Sequence, residues 1–170
     1  LSKLDLRNLT TVKDLFSRST IKNLNFSNTT TSNLLSLENA FYSLNVNTLN
    51  ISNLNVSSVT SMAGTFNTII TSEIDLSGWQ CGNVTTIRYL FQGASSTTYI
   101  FYPNFTNPDI ISDKARIFYN CDNLKTIKTL STVALGLSSD SLGSGSGTYV
   151  GNTTKSTGEN KLYVPIGATG

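Results

Sequence analysis

Apolar positions in this chain alternate with Asn, Ser and Thr in short segments, and the pattern returns at a fixed interval. Phe16, Phe41, Phe66 and Phe91 lie 25 residues apart, and Phe118 follows after 27. Leu9, Leu34, Val59 and Val84 precede the first four by seven positions; Val12, Leu37, Met62 and Ile87 precede them by four. The pairs Leu24/Phe26, Leu49/Ile51, Ile74/Leu76 and Tyr99/Phe101 keep the same rhythm. Leu4/Leu6 falls five residues late in that register, and Ile127 opens a sixth, degraded strand. Several columns sharing one period mark a repeat architecture, in which stacked units bury what one unit cannot.

Two periodicities coexist within each unit. Leu49-Asn50-Ile51 alternates as a half-buried strand does. Val59, Met62 and Phe66 fall at i, i+3 and i+7, the apolar stripe of a short helix, with Thr60/Ser61 and Thr85/Thr86 placed to cap it. The pattern therefore predicts an α/β repeat: a right-handed leucine-rich-repeat-like solenoid with a parallel sheet on one face and short helices on the other. About five repeats occupy residues 1–130, with strands starting near 4, 24, 49, 74, 99 and 127. Residues 131–160, rich in Gly, Ser and Thr, read as a loop or insert, and 161–170 as a closing strand and tail. Asn28, Asn53 and Gly78 are expected at left-handed bends after the strands. The column Asn8, Asn33, Ser58 and Asn83 is placed to satisfy backbone groups left open by the turns.

Composition narrows the function classes. Hydrophobic residues make up 38% and charged residues 13%, so the polar surface rests on amides and hydroxyls. A net charge of +2 gives no electrostatic footprint for nucleic acid. No apolar run is long enough to span a bilayer, so no membrane insertion by this segment is expected. The strand-like start at Leu1 leads us to expect a piece of a larger chain or a trimmed mature form. The chain has no His, which removes every Ser-His-Asp and Cys-His arrangement. Cys81 and Cys121 occupy small apolar slots and read as buried free thiols, with a disulfide as the rival. Glu73 and Asp75 share a strand face, a pairing open to cation binding or glycoside chemistry, or to a plain solvated surface. We expect no enzyme activity, no metal and no cofactor.

Asp75-Leu76-Ser77-Gly78-Trp79, then Asn83-Val84-Thr85-Thr86 and Leu90-Phe91, resembles the BspA-like leucine-rich repeat, the bacterial surface protein 26-residue repeat. Phe118-Tyr119-Asn120-Cys121-Asp122-Asn123-Leu124 resembles the family's segment joining one helix to the next strand, and Lys161-Leu162-Tyr163-Val164-Pro165 its closing strand. Sparse Asp and the stretched segment from Tyr99 to Lys114, with Pro103 and Pro108, depart from that pattern. The resemblance implies an extracellular or surface-attached protein, on a bacterial cell or a phage virion, used in adhesion. It implies no catalytic residues.

The remaining chemistry lies on the outward sheet face. The predicted register places Asp5, Asn25, Asn50, Asp75, Ile100 and Lys128 in one outward column, and Lys3, Asn23, Thr48, Glu73, Thr98 and Thr126 in its neighbour. Asn25, Asn50, Asp75, Thr48 and Glu73, with the aromatics Tyr99 and Tyr102, are the expected contacts to a protein or glycan partner. Trp79 and Phe105 either add to that surface or cover the core. The reading is a non-catalytic binding module, and the alternative is a structural spacer that positions a neighbouring domain.

Overall fold

A computed structural model describes residues 6–129 and the strand at 161–163. The expected strand at Leu4 lies mostly outside the described residues, as do the segment 131–160 and the tail beyond 163. Six strands follow in order: β1 (Thr20–Asn25), β2 (Asn45–Asn50), β3 (Glu73–Asp75), β4 (Tyr99–Tyr102), β5 (Thr126–Thr129) and β6 (Lys161–Tyr163). All pairing is parallel, in a two-stranded sheet β1-β2 and a four-stranded sheet β3-β4-β5-β6. An isolated bridge from Asn45 to Ile70 leads from the first sheet towards the second.

The α/β leucine-rich-repeat solenoid is corrected by this arrangement. The described residues contain no α-helix and only one 3₁₀ turn, Pro108–Ile110, and the strands divide into two small sheets. The segments that carried the helical stripe are ladders of tight turns. In the second repeat, Ala40, Tyr42 and Leu44 donate their N–H groups three residues back, to the carbonyls of Leu37, Asn39 and Phe41. The intervening amides of Leu37, Asn39, Phe41 and Ser43 instead donate to Ser61, Ala63, Thr65 and Asn67, one repeat ahead. A helix would send every amide four residues back.

Backbone torsions enforce this alternation. Left-handed residues flank each of the five spaced phenylalanines at positions −2 and +2: Asp14/Arg18, Asn39/Ser43, Gly64/Thr68, Tyr89/Gly93 and Arg116/Asn120. Each non-glycine there costs on the order of 1–2 kcal/mol in isolation, offset at Asp14, Arg18, Asn39, Ser43, Thr68 and Tyr89 by an amide bond to the neighbouring repeat. Every one of these segments contains at least one Ser, Thr, Asn or Gly, residues with little helix preference. The expected left-handed bends at Asn28, Asn53 and Gly78 do not occur, since none of the three has positive φ. Asn53 works through its side chain, donating Nδ2–H to the Ser27 carbonyl of the preceding repeat. Asn33, Asn83 and Asn123 do the same to Arg7, Ser57 and Ser95. Thr60 and Thr85, expected as helix caps, donate their hydroxyls to the Leu35 and Thr60 carbonyls.

The core is continuous from Leu6 to Ile127. Its axis is a file of near-parallel rings: Phe16, Phe41, Phe66, Phe91 and Phe118, with successive centroids 5.7, 5.3, 5.6 and 5.5 Å apart. Strand spacing sets one ring per repeat at roughly 4.8 Å along the stacking direction, and a lateral offset adds the rest. Trp79 and Phe105 are fully buried and so cover the core. The indole of Trp79 donates to the Ile51 carbonyl at 3.0 Å. The four buried threonines, Thr31, Thr65, Thr71 and Thr97, all hold hydrogen bonds.

Cys81 and Cys121 are free and buried. Cys81 sits 3.9 Å from the Met62 sulfur, and Cys121 donates to the Phe91 carbonyl at 3.0 Å. Burial pushes both thiols up to about 12, so both stay protonated and unreactive near neutral pH.

Phe66 has a ring on both sides, whereas Phe16 has a stacked ring neighbour only in Phe41. Phe66→Ala is expected to cost about 3–5 kcal/mol in urea unfolding, and Phe16→Ala clearly less. Equal losses would show that the file does not act as one packed column.

Candidate binding surface

The outward sheet face is set by strand register. Thr20 to Asn25 pair with Asn45 to Asn50, a shift of 25 residues. Glu73, Ile74 and Asp75 pair with Tyr99, Ile100 and Phe101, a shift of 26. The extra residue lies between Phe91 and Tyr99, where Ser95 and Thr97 donate to the Gly93 and Ala94 carbonyls in an added turn. A slip of one position exchanges the two faces of a strand. Ile100 and Tyr102 therefore point inward, and Tyr99 and Phe101 point outward and are half-buried.

Two outward rows result. On the β1–β2 sheet they are Asn23, Thr48 and Asn25, Asn50; on the second sheet they are Glu73, Tyr99, Thr126 and Asp75, Phe101, Lys128, with Glu73 and Asp75 at the repeat equivalents of Thr48 and Asn50. Thr98 and Ile100, expected in these rows, give way to Tyr99 and Phe101. Asp5 and Lys3 lie outside the described residues. Tyr102, expected as a surface contact, is 1% exposed. Its ring packs against Phe91, Phe105 and Phe118, and its hydroxyl has no hydrogen-bond partner.

The other expected contacts stay on the outward side, several with structural duties. Asn25, Asn50 and Asp75 each accept the backbone N–H two residues on, from Ser27, Ser52 and Ser77, and so close the turn that ends the strand. Thr48 donates to Asn23 at 2.6 Å across the β1–β2 pair. Glu73 is exposed on β3. Burial first, then the charges of Asp75 and Glu73, raise the Tyr99 phenol above its ordinary pKa. The Lys128 ammonium lies over the Phe101 ring, 4.9 Å from its centroid. The face thus changes along the stack: amides and hydroxyls on β1 and β2, carboxylates on β3, aromatic rings on β4, a hydroxyl and a lysine on β5.

The periodicity did not reveal the decoration of the turn ladders. Arg18 lies over Tyr42, Arg88 over Tyr89 and Arg116 over Tyr119. Lys13 pairs with Glu38 at 2.9 Å, and Arg88 with Asp113 at 3.4 Å. Three of these contacts join residues one repeat apart, a spacing visible only once the repeat is laid out as a stack. An open depression is lined by Ser27 to Ser32 with Asn53 and Asn55, and carries no ionisable side chain. No group of three or more His, Cys, Asp or Glu able to hold a metal ion occurs among the described residues. No helix of the described residues is long and apolar enough to cross a membrane.

A family model described as Mycoplasma protein of unknown function, DUF285, matches residues 10–129, and the chain belongs to that family. The match covers all five ring-bearing turn ladders and ends with β5. No curated protein and no solved structure matches the chain.

The position of Tyr102 gives a direct test. Tyr102→Phe removes a buried hydroxyl that has no partner and is expected to leave stability unchanged or raise it by roughly 1 kcal/mol. A loss of that size on thermal or urea unfolding would mean that the hydroxyl is bonded or wet.

Proposed function

We propose that this DUF285 protein works as a non-catalytic binding module that presents the outward face of its sheets to a protein or glycan partner. The observation that supports this reading is the pair Tyr99 and Phe101, two aromatic side chains held half-exposed, side by side on one strand, inside an otherwise polar face. Aromatic rings on a rigid strand offer large contact area at small entropic cost, which is why such rings so often anchor interfaces. Around them Thr48, Asn50, Glu73 and Asp75 supply donors and acceptors at fixed spacing.

The resemblance of Asp75 to Phe91 to the BspA-like repeats supports an extracellular or surface-attached setting, on a bacterial cell or a virion. A spacer role draws on a different observation, the unbroken file of rings from Phe16 to Phe118, which stiffens the stack along its length. The two roles separate experimentally. We expect the protein to bind at least one member of a panel of host matrix proteins and glycans. Y99A/F101A should lose most of that affinity with little change in unfolding midpoint, and Lys13→Ala on the turn-ladder side should keep it. Binding that survives Y99A/F101A would refute the assignment of this face, and a panel with no binder would leave the spacer role as the better account.

A further inference from the structure

Charge on the outward face is unevenly distributed. In the two rows across β1 to β5 the ionisable groups other than Tyr99 are Glu73, Asp75 and Lys128. The lysine is engaged, with its ammonium over the Phe101 ring. Glu73 and Asp75 stand beside Tyr99 and Phe101 in register, and their repeat equivalents on β2 are the neutral Thr48 and Asn50. Glu73 is the direct register partner of Tyr99, and burial, then the charges of Asp75 and Glu73, raise the Tyr99 phenol. Asp75 uses one oxygen to close its turn and keeps the other.

An aromatic face attracts a cation through its quadrupole, and two adjacent carboxylates deepen that attraction. The Lys128–Phe101 contact already uses this chemistry within the chain. Tyr99 presents the same kind of ring nearer the acidic edge. We infer that Tyr99, Glu73 and Asp75 form a subsite for a cationic side chain, a lysine or arginine carried by an exposed basic segment of a protein partner. The occupant follows from charge complementarity: a negative edge, a ring beside it, and no basic group of β2 or β3 in these rows to neutralise it.

This inference rests on the reading of the outward face as a partner surface and narrows it to a protein with a basic segment. Its test uses the full chain and a synthetic peptide with lysine at alternate positions, beside a counterpart with glutamine in their place. The lysine peptide is expected to bind in fluorescence anisotropy, more tightly than the glutamine peptide and more weakly as salt rises. E73Q/D75N should lower its affinity about tenfold, a loss in the range of ring-plus-charge recognition of a cation. The fold survives this change, because Asn25 and Asn50 make with their amides the turn bond that Asp75 makes with its carboxylate. Y99A should weaken binding by a similar factor, and Y99F, which keeps the ring, should retain it. Absence of binding by the lysine peptide, or unchanged affinity in E73Q/D75N, overturns the subsite. If Y99A/F101A then still weakens a glycan or protein ligand, the cation subsite falls while the broader reading of the face stands. If no ligand responds to Y99A/F101A, both fall.

Discussion

In the four turn ladders centred on Phe16, Phe41, Phe66 and Phe91, every second amide finds its acceptor one repeat away, and the rest of the molecule follows from that constraint. Amides such as Phe16, Phe41 and Phe66 cannot be satisfied within their own turn, because left-handed residues on either side direct them outward along the stack. An unpaired buried amide costs about 1–3 kcal/mol, so adjacent repeats must lie in register. Register in turn fixes one phenylalanine per repeat at nearly constant spacing. The ring file is thus a consequence of amide direction, and its packing stabilises the arrangement that produced it.

The same constraint explains how one inserted residue reshapes the surface. The ladder segments hold strict register from repeat to repeat, so an extra residue between Phe91 and Tyr99 is absorbed in the loop that feeds β4. Its effect is to turn β4 over. Ile100 takes the buried position beside Ile74 and Ile127, and Tyr102 follows it inward. Tyr99 and Phe101 are left beside the β3 carboxylates. The aromatic patch beside the β3 carboxylates and the buried phenol of Tyr102 are two results of one length change.

Much of this was legible in the sequence, and the failures have identifiable causes. The spacing of Phe16, Phe41, Phe66, Phe91 and Phe118 exposes the repeat because only a stacked arrangement keeps equivalent rings equivalent. Burial of Cys81 and Cys121 was readable from the apolar residues at equivalent positions. The helical reading of Val59, Met62 and Phe66 failed because apolar spacing reports which side chains face the core, not where the amides point. Turns that reverse every fourth residue bury the same positions a helix would. Tyr99 was expected as a partner contact and does face outward, but the outward columns were given Thr98 and Ile100 instead of Tyr99 and Phe101, because a 25-residue shift was carried across a 26-residue repeat; alternation alone does not choose between two registers when all of Tyr99 to Tyr102 is apolar or aromatic. The roles of Asn25, Asn50 and Asp75 in closing turns were hidden because the same side chains suit a polar surface.

Scalar coupling across hydrogen bonds in solution NMR reads the direction of the ladder amides directly. A stack held by amides that alternate in direction gives coupling from the Phe41 amide nitrogen to the Thr65 carbonyl carbon, and from the Tyr42 amide nitrogen to the Asn39 carbonyl carbon. Coupling from the Phe41 amide to the Leu37 carbonyl, the partner it would have in an α-helix, would contradict it.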